Sequence, residues 1–328
     1  PAISKIICQN VAKTCHDALI EQYKSKNSLG NVYVDEELKN YLVPFSQRSA
    51  SSTTKSIVRG SQLPIKSDTT AVRAFIWWTN TSERVDIDLS ATIYDSDWKY
   101  VEHISYTDLC SARMKAYHSG DITNGGSISG KGVSEFLDVD IDAVAENGRY
   151  IVYQVYSFTG QRFSTLKNCR FGWMEREDVN SGEIYEPTTV KMSMDVNAEG
   201  RTAIPVIFDC AERKFIWCDM NLGIDDSHHG GINLESNIQG VTATCYAMTH
   251  LNKPNIYDLA MLNAMARGTV VNDRNNADII FSNDTTTPFE IVVEKNKITG
   301  EEKRVLKDKV DVPIITSFDI DYFMCNLL

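Results

Sequence analysis

Two runs of this sequence set carboxylates two residues apart among apolar side chains. In Val85-Asp86-Ile87-Asp88-Leu89-Ser90-Ala91-Thr92-Ile93 the strand period of two puts Val85, Ile87, Leu89, Ala91 and Ile93 on one face. Asp86 and Asp88 share the other. Leu137-Asp138-Val139-Asp140-Ile141-Asp142 repeats the pattern, with Asp138, Asp140 and Asp142 facing away from the apolar side. Carboxylates so placed lie ~7 Å apart and repel by ~0.6 kcal/mol in water, and several-fold more beside a low-dielectric surface. Aspartate is also disfavoured in strands, so a bound divalent cation is the economical compensation. Between the ladders lies the turn-rich run Tyr117-His118-Ser119-Gly120-Asp121-Ile122-Thr123-Asn124-Gly125-Gly126. Its glycines allow positive φ and inward-aimed carbonyls. Calcium takes about six to eight oxygen ligands, mixing carboxylates with carbonyls, and two acidic strands with an Asp/Gly loop can supply such a set. Three readings stand at this point: calcium, magnesium, or an acidic sheet face without an ion. His118 is read as a hydrogen-bonding group that fixes its turn.

Other chemistry is thinly represented. The sequence contains no Gly-x-Ser-x-Gly elbow, His-Glu-x-x-His motif, Walker loop or Gly-x-Gly-x-x-Gly fingerprint, and the reading is a binding module rather than an enzyme. His228 and His229 beside Asp225 and Asp226 sit in a Gly-rich stretch that reads as a polar connector. The eight cysteines form no Cys-x-x-Cys pair or zinc spacing, which predicts reduced, mostly buried thiols. A net charge of −11 suits cations better than nucleic acid. No apolar run reaches membrane-spanning length and no signal-peptide pattern opens the chain. The expectation is a cytoplasmic protein without membrane insertion, peripheral association being left open.

The elements that must position these residues follow from periodicity. Ile3, Ile7, Val11, Cys15, Leu19 and Tyr23 predict an amphipathic helix beginning near Pro1. Such an early start fits a segment cut from a longer chain or the removal of an initiator methionine. A short strand (31–34), a second helix N-capped by Asp35, and the polar run SQRSASSTTKS (46–56) follow. From Ile57 to about Leu222 short β-rich runs (VRAFIWW, VDIDLSATIY, EFLDVDI, YIVYQVYSF, TAIPVIFD, KFIWCDM) predict a mainly β, two-sheet antiparallel sandwich. The five tryptophans are read as core. After the connector 223–237, a helix from Asn255 to Gly268, strands ADIIF and FEIVV, and a last helix near Thr316 predict a small α/β unit over 238–328. The expected division is therefore 1–56, 57–222, 223–237 and 238–328.

Six motifs in order carry a resemblance: RGSQLPI (59–65), VDIDLSA (85–91), HSGDIT (118–123), EFLDVDI (135–141), SFTGQRF (157–163) and TAIPVIFDCAERKFIW (202–217). Together they resemble the TerD-type tellurium-resistance domain, a calcium-binding β-sandwich, and the flanks resemble longer bacterial proteins that embed it. The resemblance implies metal positions at Asp86, Asp88, Asp121, Glu135 and Asp140, to which the second ladder adds Asp138. It also implies a scaffold role among other proteins of a stress response. Relatives of the sandwich that bind cyclic nucleotides suggest ligand sensing as the alternative, with a metal-dependent hydrolase third. Family members place Asp or Asn after the turn aspartate and an acidic run before the glutamate. Ile122 and GSISGKGVS (126–134) stand there instead, so one good calcium site and one weakened site are expected. SFTGQRF is read as a turn at the sheet end with Phe158 and Phe163 in the core, contact with the metal loops being the alternative.

Overall fold

The structure is a computed structural model that describes residues 3–45, 57–177, 179, 190–222, 238–295 and 302–328. The polar run 46–56 and the connector 223–237, with His228, His229, Asp225 and Asp226, lie outside the described residues. The chain divides into two compact units, one of residues 1–46 and 253–328, the other of residues 47–252.

The first unit opens with helix α1 (Lys5–Lys24), N-capped by Ser4, and strand β1 (Gly30–Val34). The predicted periodicity forms the helix, but only its C-terminal end is covered. Tyr23 is buried, while Ile3, Ile7 and Val11 are exposed at 71%, 55% and 57%. Asp35 caps a short 3-10 turn (Glu36–Asn40) by accepting from Glu37 N.

The second unit is the sandwich. Its strands in chain order are β2 (Gln62–Pro64), β3 (Ala71–Trp78), β4 (Ile87–Tyr94), β5 (Tyr100–Ile104), β6 (Cys110–Ser111), β7 (Ala116–His118), β8 (Val133–Asp140), β9 (Tyr150–Ser157), β10 (Cys169–Arg176), β11 (Val190–Asp195), β12 (Thr202–Asp209) and β13 (Lys214–Asn221). They form two six-stranded antiparallel sheets, ordered β11-β10-β3-β8-β7-β6 and β2-β13-β12-β9-β4-β5. Aromatic side chains join the sheets across the core. Tyr153 of β9 meets Phe171 of β10 at 6.1 Å between ring centroids, and Trp173 of β10 stacks on Phe215 of β13 at 4.1 Å. Four of the five tryptophans are buried and Trp77 is half-buried. Phe163 is core as expected, whereas Phe158 is 56% exposed. Its neighbour Ser157 closes β9, and Phe158 belongs to the turn beyond the sheet. Helix α2 (Ile141–Asn147) follows β8, and helix α3 (Ile238–Thr249) contributes Val241 and Cys245 to a cluster with Tyr94, Trp98 and Tyr150.

The chain then completes the first unit. Helix α4 (Ile256–Arg267) is capped by Asn255, whose side chain accepts from Asp258 N, and ends before Gly268 with a cation in its last turn, as its sequence predicts. Strands β14 (Gly268–Val270) and β15 (Ile279–Phe281) pair in parallel with β1, and β18 (Ile314–Ile315) pairs in parallel with β15, in the order β14-β1-β15-β18. The segments expected as separate N-terminal and C-terminal pieces therefore share one sheet. Arg267 fastens them, donating to Asn27 O at 2.9 Å and Asn326 O at 2.7 Å. FEIVV, expected as a strand of the small α/β unit, forms an antiparallel hairpin of β16 (Phe289–Lys295) with β17 (Glu302–Asp308). Helix α3, expected with the C-terminal piece, belongs to the sandwich unit. Among the described residues no helix is long and apolar enough to cross a membrane.

Candidate metal centre

Strand β4 runs past the end of its neighbour. β5 pairs with it only from Ala91 to Tyr94, so the half that carries Asp88 has a β-strand on one side, β9, and none on the other. A bare strand edge inside a protein leaves backbone groups unpaired at a cost of ~1–3 kcal/mol each. Here other groups take that edge. Leu89 N donates to Glu135 Oε2 at 2.9 Å, and Leu89 O accepts from His118 Nε2 at 2.9 Å. The N–H and C=O of one residue point to the same side of a strand, so both bonds fill the edge that β5 leaves open. Gly120 N donates to His118 Nδ1 at 3.1 Å. With Nδ1 accepting, the ring is the tautomer that carries its proton on Nε2. His118 thus fixes its turn, as the sequence suggested, and also closes the sheet edge.

The loop after His118 is pinned at its far end too. Gly125 N donates to Val85 O at 3.1 Å and to Asn80 Oδ1 at 3.0 Å, and Asn80 Oδ1 also accepts from Val85 N. A Cβ at Gly125 would lie 2.7 Å from Asn80 N, so only glycine allows this approach. Gly120, at φ 106°, makes the turn before Asp121 in backbone space that glycine favours. On the β9 side, Asp86 N donates to Thr159 Oγ1 and Phe158 N donates to Asp86 O, both at 3.0 Å. Gln161 Nε2 donates to Arg84 O at 3.0 Å. The SFTGQRF turn therefore extends the ladder beside Asp86, the contact with the acidic loops that the sequence left open beside packing. Asn80 carries no pattern that would have marked it.

These anchors bring Asp86, Asp88 and Asp121 together, with one oxygen of each lying within 4.8 Å of the others. Asp86 and Asp88 are 2% and 4% exposed, and Asp121 is exposed. Asp86 Oδ1 and Asp88 Oδ2 are buried without a hydrogen-bond partner. Arg84, half-exposed, lies 3.5 Å from Asp86 Oδ2. Burial pushes the Asp88 carboxyl up to about 8, helped by Glu135, Asp86 and Asp121. Burial likewise raises Asp86, with Arg84 opposing and Asp121 and Glu135 adding to the rise.

Glu135 is wholly buried beside this trio, but its oxygens are engaged. Oε1 accepts from Ile122 N and Oε2 from Leu89 N, both at 2.9 Å. Asp138 and Asp140 are not brought to the cluster. Strand parity turns them to the opposite side of β8 from Glu135, Leu137 and Val139. Asp138 receives Arg73 through two 2.7 Å bonds, and Asp140 caps α2 by accepting from Ala143 N at 2.8 Å. Asp142 lies beyond the strand and meets Arg213 at 3.4 Å.

Sequence-distant turns thus gather three carboxylates on one strand end of an antiparallel sandwich, which defines a β-sandwich with a candidate cation site. Oxygens on opposite sides of a calcium ion lie about 4.6–5.2 Å apart, so the trio fits one shell, and the two orphaned oxygens are what an ion would satisfy.

No protein-family profile matches the chain. Tellurium resistance protein TerZ of Serratia marcescens is 31% identical over 91 residues, which are 27% of this chain and 46% of TerZ. The chain thus spans about half (46%) of the length of the curated relative it matches. Among solved structures, a homologue of the telluride resistance protein TerD from Streptomyces coelicolor aligns with a TM-score of 0.38 and 15% identity, over 48% of this chain and 93% of that one. A protein of unknown function aligns with a TM-score of 0.36 and 14% identity, over 47% and 93%. Over part of its length the chain is therefore similar to tellurium-resistance proteins of the TerD type, the resemblance that its six motifs carry.

Proposed function

We propose that this chain is a calcium-binding module of the tellurite-resistance type, which holds the ion at Asp86, Asp88 and Asp121. Its role is that of a cytoplasmic scaffold for other stress-response proteins rather than that of an enzyme. The observation that carries the reading is the pair of buried, unpartnered oxygens, Asp86 Oδ1 and Asp88 Oδ2, on two carboxylates that each bring an oxygen within 4.8 Å of one of Asp121. Burying like charges without a counterion is costly, and a divalent cation offsets both the repulsion and the missing bonds. When bound, calcium supplies charge neutralisation and a fixed geometry. The chain's own residues hold the strand and the Asp121 turn in register for it. A scaffold built this way couples the order of one sandwich end to the ion, and that end then presents a different surface with and without calcium.

Metal analysis of the purified full chain and a calcium titration followed by calorimetry test the reading. Stoichiometric calcium, with a melting temperature that rises in calcium and falls in chelator, is expected. Identical melting in calcium and chelator, with no bound metal, would refute it.

A further inference from the structure

Glu135 stands apart from the other carboxylates of the cluster. The resemblance implies a metal position there, yet both of its oxygens take backbone N–H donors, whereas Asp86 and Asp88 each keep a buried oxygen without a partner. What the two donors are matters. Leu89 is the residue after Asp88, and Ile122 is the residue after Asp121. A single side chain from β8, in the facing sheet, therefore ties the backbone beside one candidate ligand to the backbone beside another. It does so on the edge of β4 that β5 leaves open, opposite the edge that β9 pairs, and His118 completes the repair by donating to Leu89 O.

We propose that Glu135 is a positioning residue and not an ion ligand: it is a strap that sets the separation of Asp88 and Asp121, with His118 as the second half of a surrogate strand edge. The inference rests on the calcium reading for its consequence, though both bonds of the strap are made by protein groups alone. A carboxylate suits the task because both partners are donors and each oxygen accepts. Glutamine does not, since its amide nitrogen would face an N–H. The strap therefore acts on the ion through the backbone that orients its ligands, as outer-shell groups do in metal sites.

The test uses the full chain and three variants. In chelator, Glu135→Gln should speed amide hydrogen exchange at Leu89 and Ile122 by about tenfold or more, because local protection follows local bonding. Calcium affinity should fall by about 10–100-fold, the usual cost of losing an outer-shell partner. With europium in place of calcium, luminescence lifetimes in H2O and D2O count the waters on the ion. Saturated Glu135→Gln should keep the wild-type count, while Asp121→Ala, which removes an exposed candidate ligand, should gain water. Unchanged exchange at Leu89 and Ile122 would overturn the strap, and an added water in Glu135→Gln would make Glu135 a ligand and overturn the assignment. Should Glu135→Gln not fold, Ile122→Pro removes the donor at the other end of the strap. It should lower calcium affinity and free the Leu89 amide only partly, and unaltered affinity would count against the proposal. Failure of every protein to bind metal would end the calcium reading alone, and the exchange rates in chelator would still decide the strap.

Discussion

Asp88→Asn keeps the shape of the side chain and removes its charge, and its effect should change sign with pH and with calcium. Two carboxylate oxygens 4.8 Å apart repel by about 3.5 kcal/mol at an effective dielectric of about 20, against about 0.9 kcal/mol in water. The metal-free protein relieves this by protonation, since the folded Asp88 carboxyl is pushed up to about 8 from 3.8. A carboxyl raised on folding binds its proton more tightly in the folded state. Its stabilisation is complete below about pH 4 and is lost as pH rises through 8. Integrated over one site, the loss is roughly 1–2 kcal/mol from pH 7 to 9 and roughly 4 kcal/mol from pH 5 to 9. At roughly 2–4 °C per kcal/mol for a unit of this size, the melting temperature should drop by about 3–6 °C between pH 7 and 9 in chelator. In the asparagine variant that slope should be shallower, with Asp86 supplying what remains, because its shift has the same direction. The substitution should thus be near neutral at pH 7 and stabilising at pH 9 without metal. With calcium it should be destabilising, since it removes a charged oxygen. Wild-type calcium affinity should also tighten by up to about tenfold per pH unit below 8, as each ion displaces the proton of Asp88. Thermal melts from pH 5 to 9, with calcium and with chelator, check all of this. Parallel wild-type and variant curves across the range in chelator would mean that Asp88 is an ordinary solvated acid and the reasoning fails.

Asp138→Asn should cost about 2–3 kcal/mol, because it replaces one of the two oxygens that accept from Arg73 with an amide nitrogen and removes the charge that strengthens the other bond, and Asp140→Ala about 1 kcal/mol through loss of the α2 cap. Denaturant melts read both, and neither substitution should alter calcium affinity in a titration. Gly125→Ala should displace the loop from Asn80 and Trp78, where a Cβ would sit 2.7 Å from atoms of each, and should weaken calcium binding at least as much as it lowers stability. With a thiol reagent the native protein should show a fast class containing the exposed Cys8, Cys15, Cys110 and Cys325. Cys169, Cys210, Cys218 and Cys245 should react only on unfolding, since burial raises their thiols, that of Cys245 to about 12.

The sandwich was legible because strands β3, β4, β8, β9, β12 and β13 are local patterns, and period-two alternation survives in VDIDLSA and EFLDVDI regardless of what packs on them. The flanks were not, because a parallel pairing such as β1 with β14 and β15 joins residues more than two hundred positions apart and leaves no local signal. The thiols divide for a related reason: Cys8 and Cys15 lie on α1, where periodicity marks an apolar face but not whether a partner covers it.

At the site, the same alternation held information that the motif resemblance obscured. Glu135 has the parity of Leu137 and Val139, whereas Asp138 and Asp140 have the opposite parity, so one strand cannot aim all three at one ion. Read strictly, the period separates the buried Glu135 from the aspartates that serve Arg73 and α2. What alternation does not tell is which face is covered. By alternation Asp86 and Asp88 share only the face away from the apolar side, and they are buried because turns from elsewhere in the chain close over that end of β4. Burial converts a pair of surface charges, whose mutual repulsion water would screen, into a cluster that must be protonated or filled. The distinction between an acidic sheet face and a cation site therefore lies less in the aspartates than in Asn80, His118, Gly125, Glu135 and Thr159, the residues that cover and hold them.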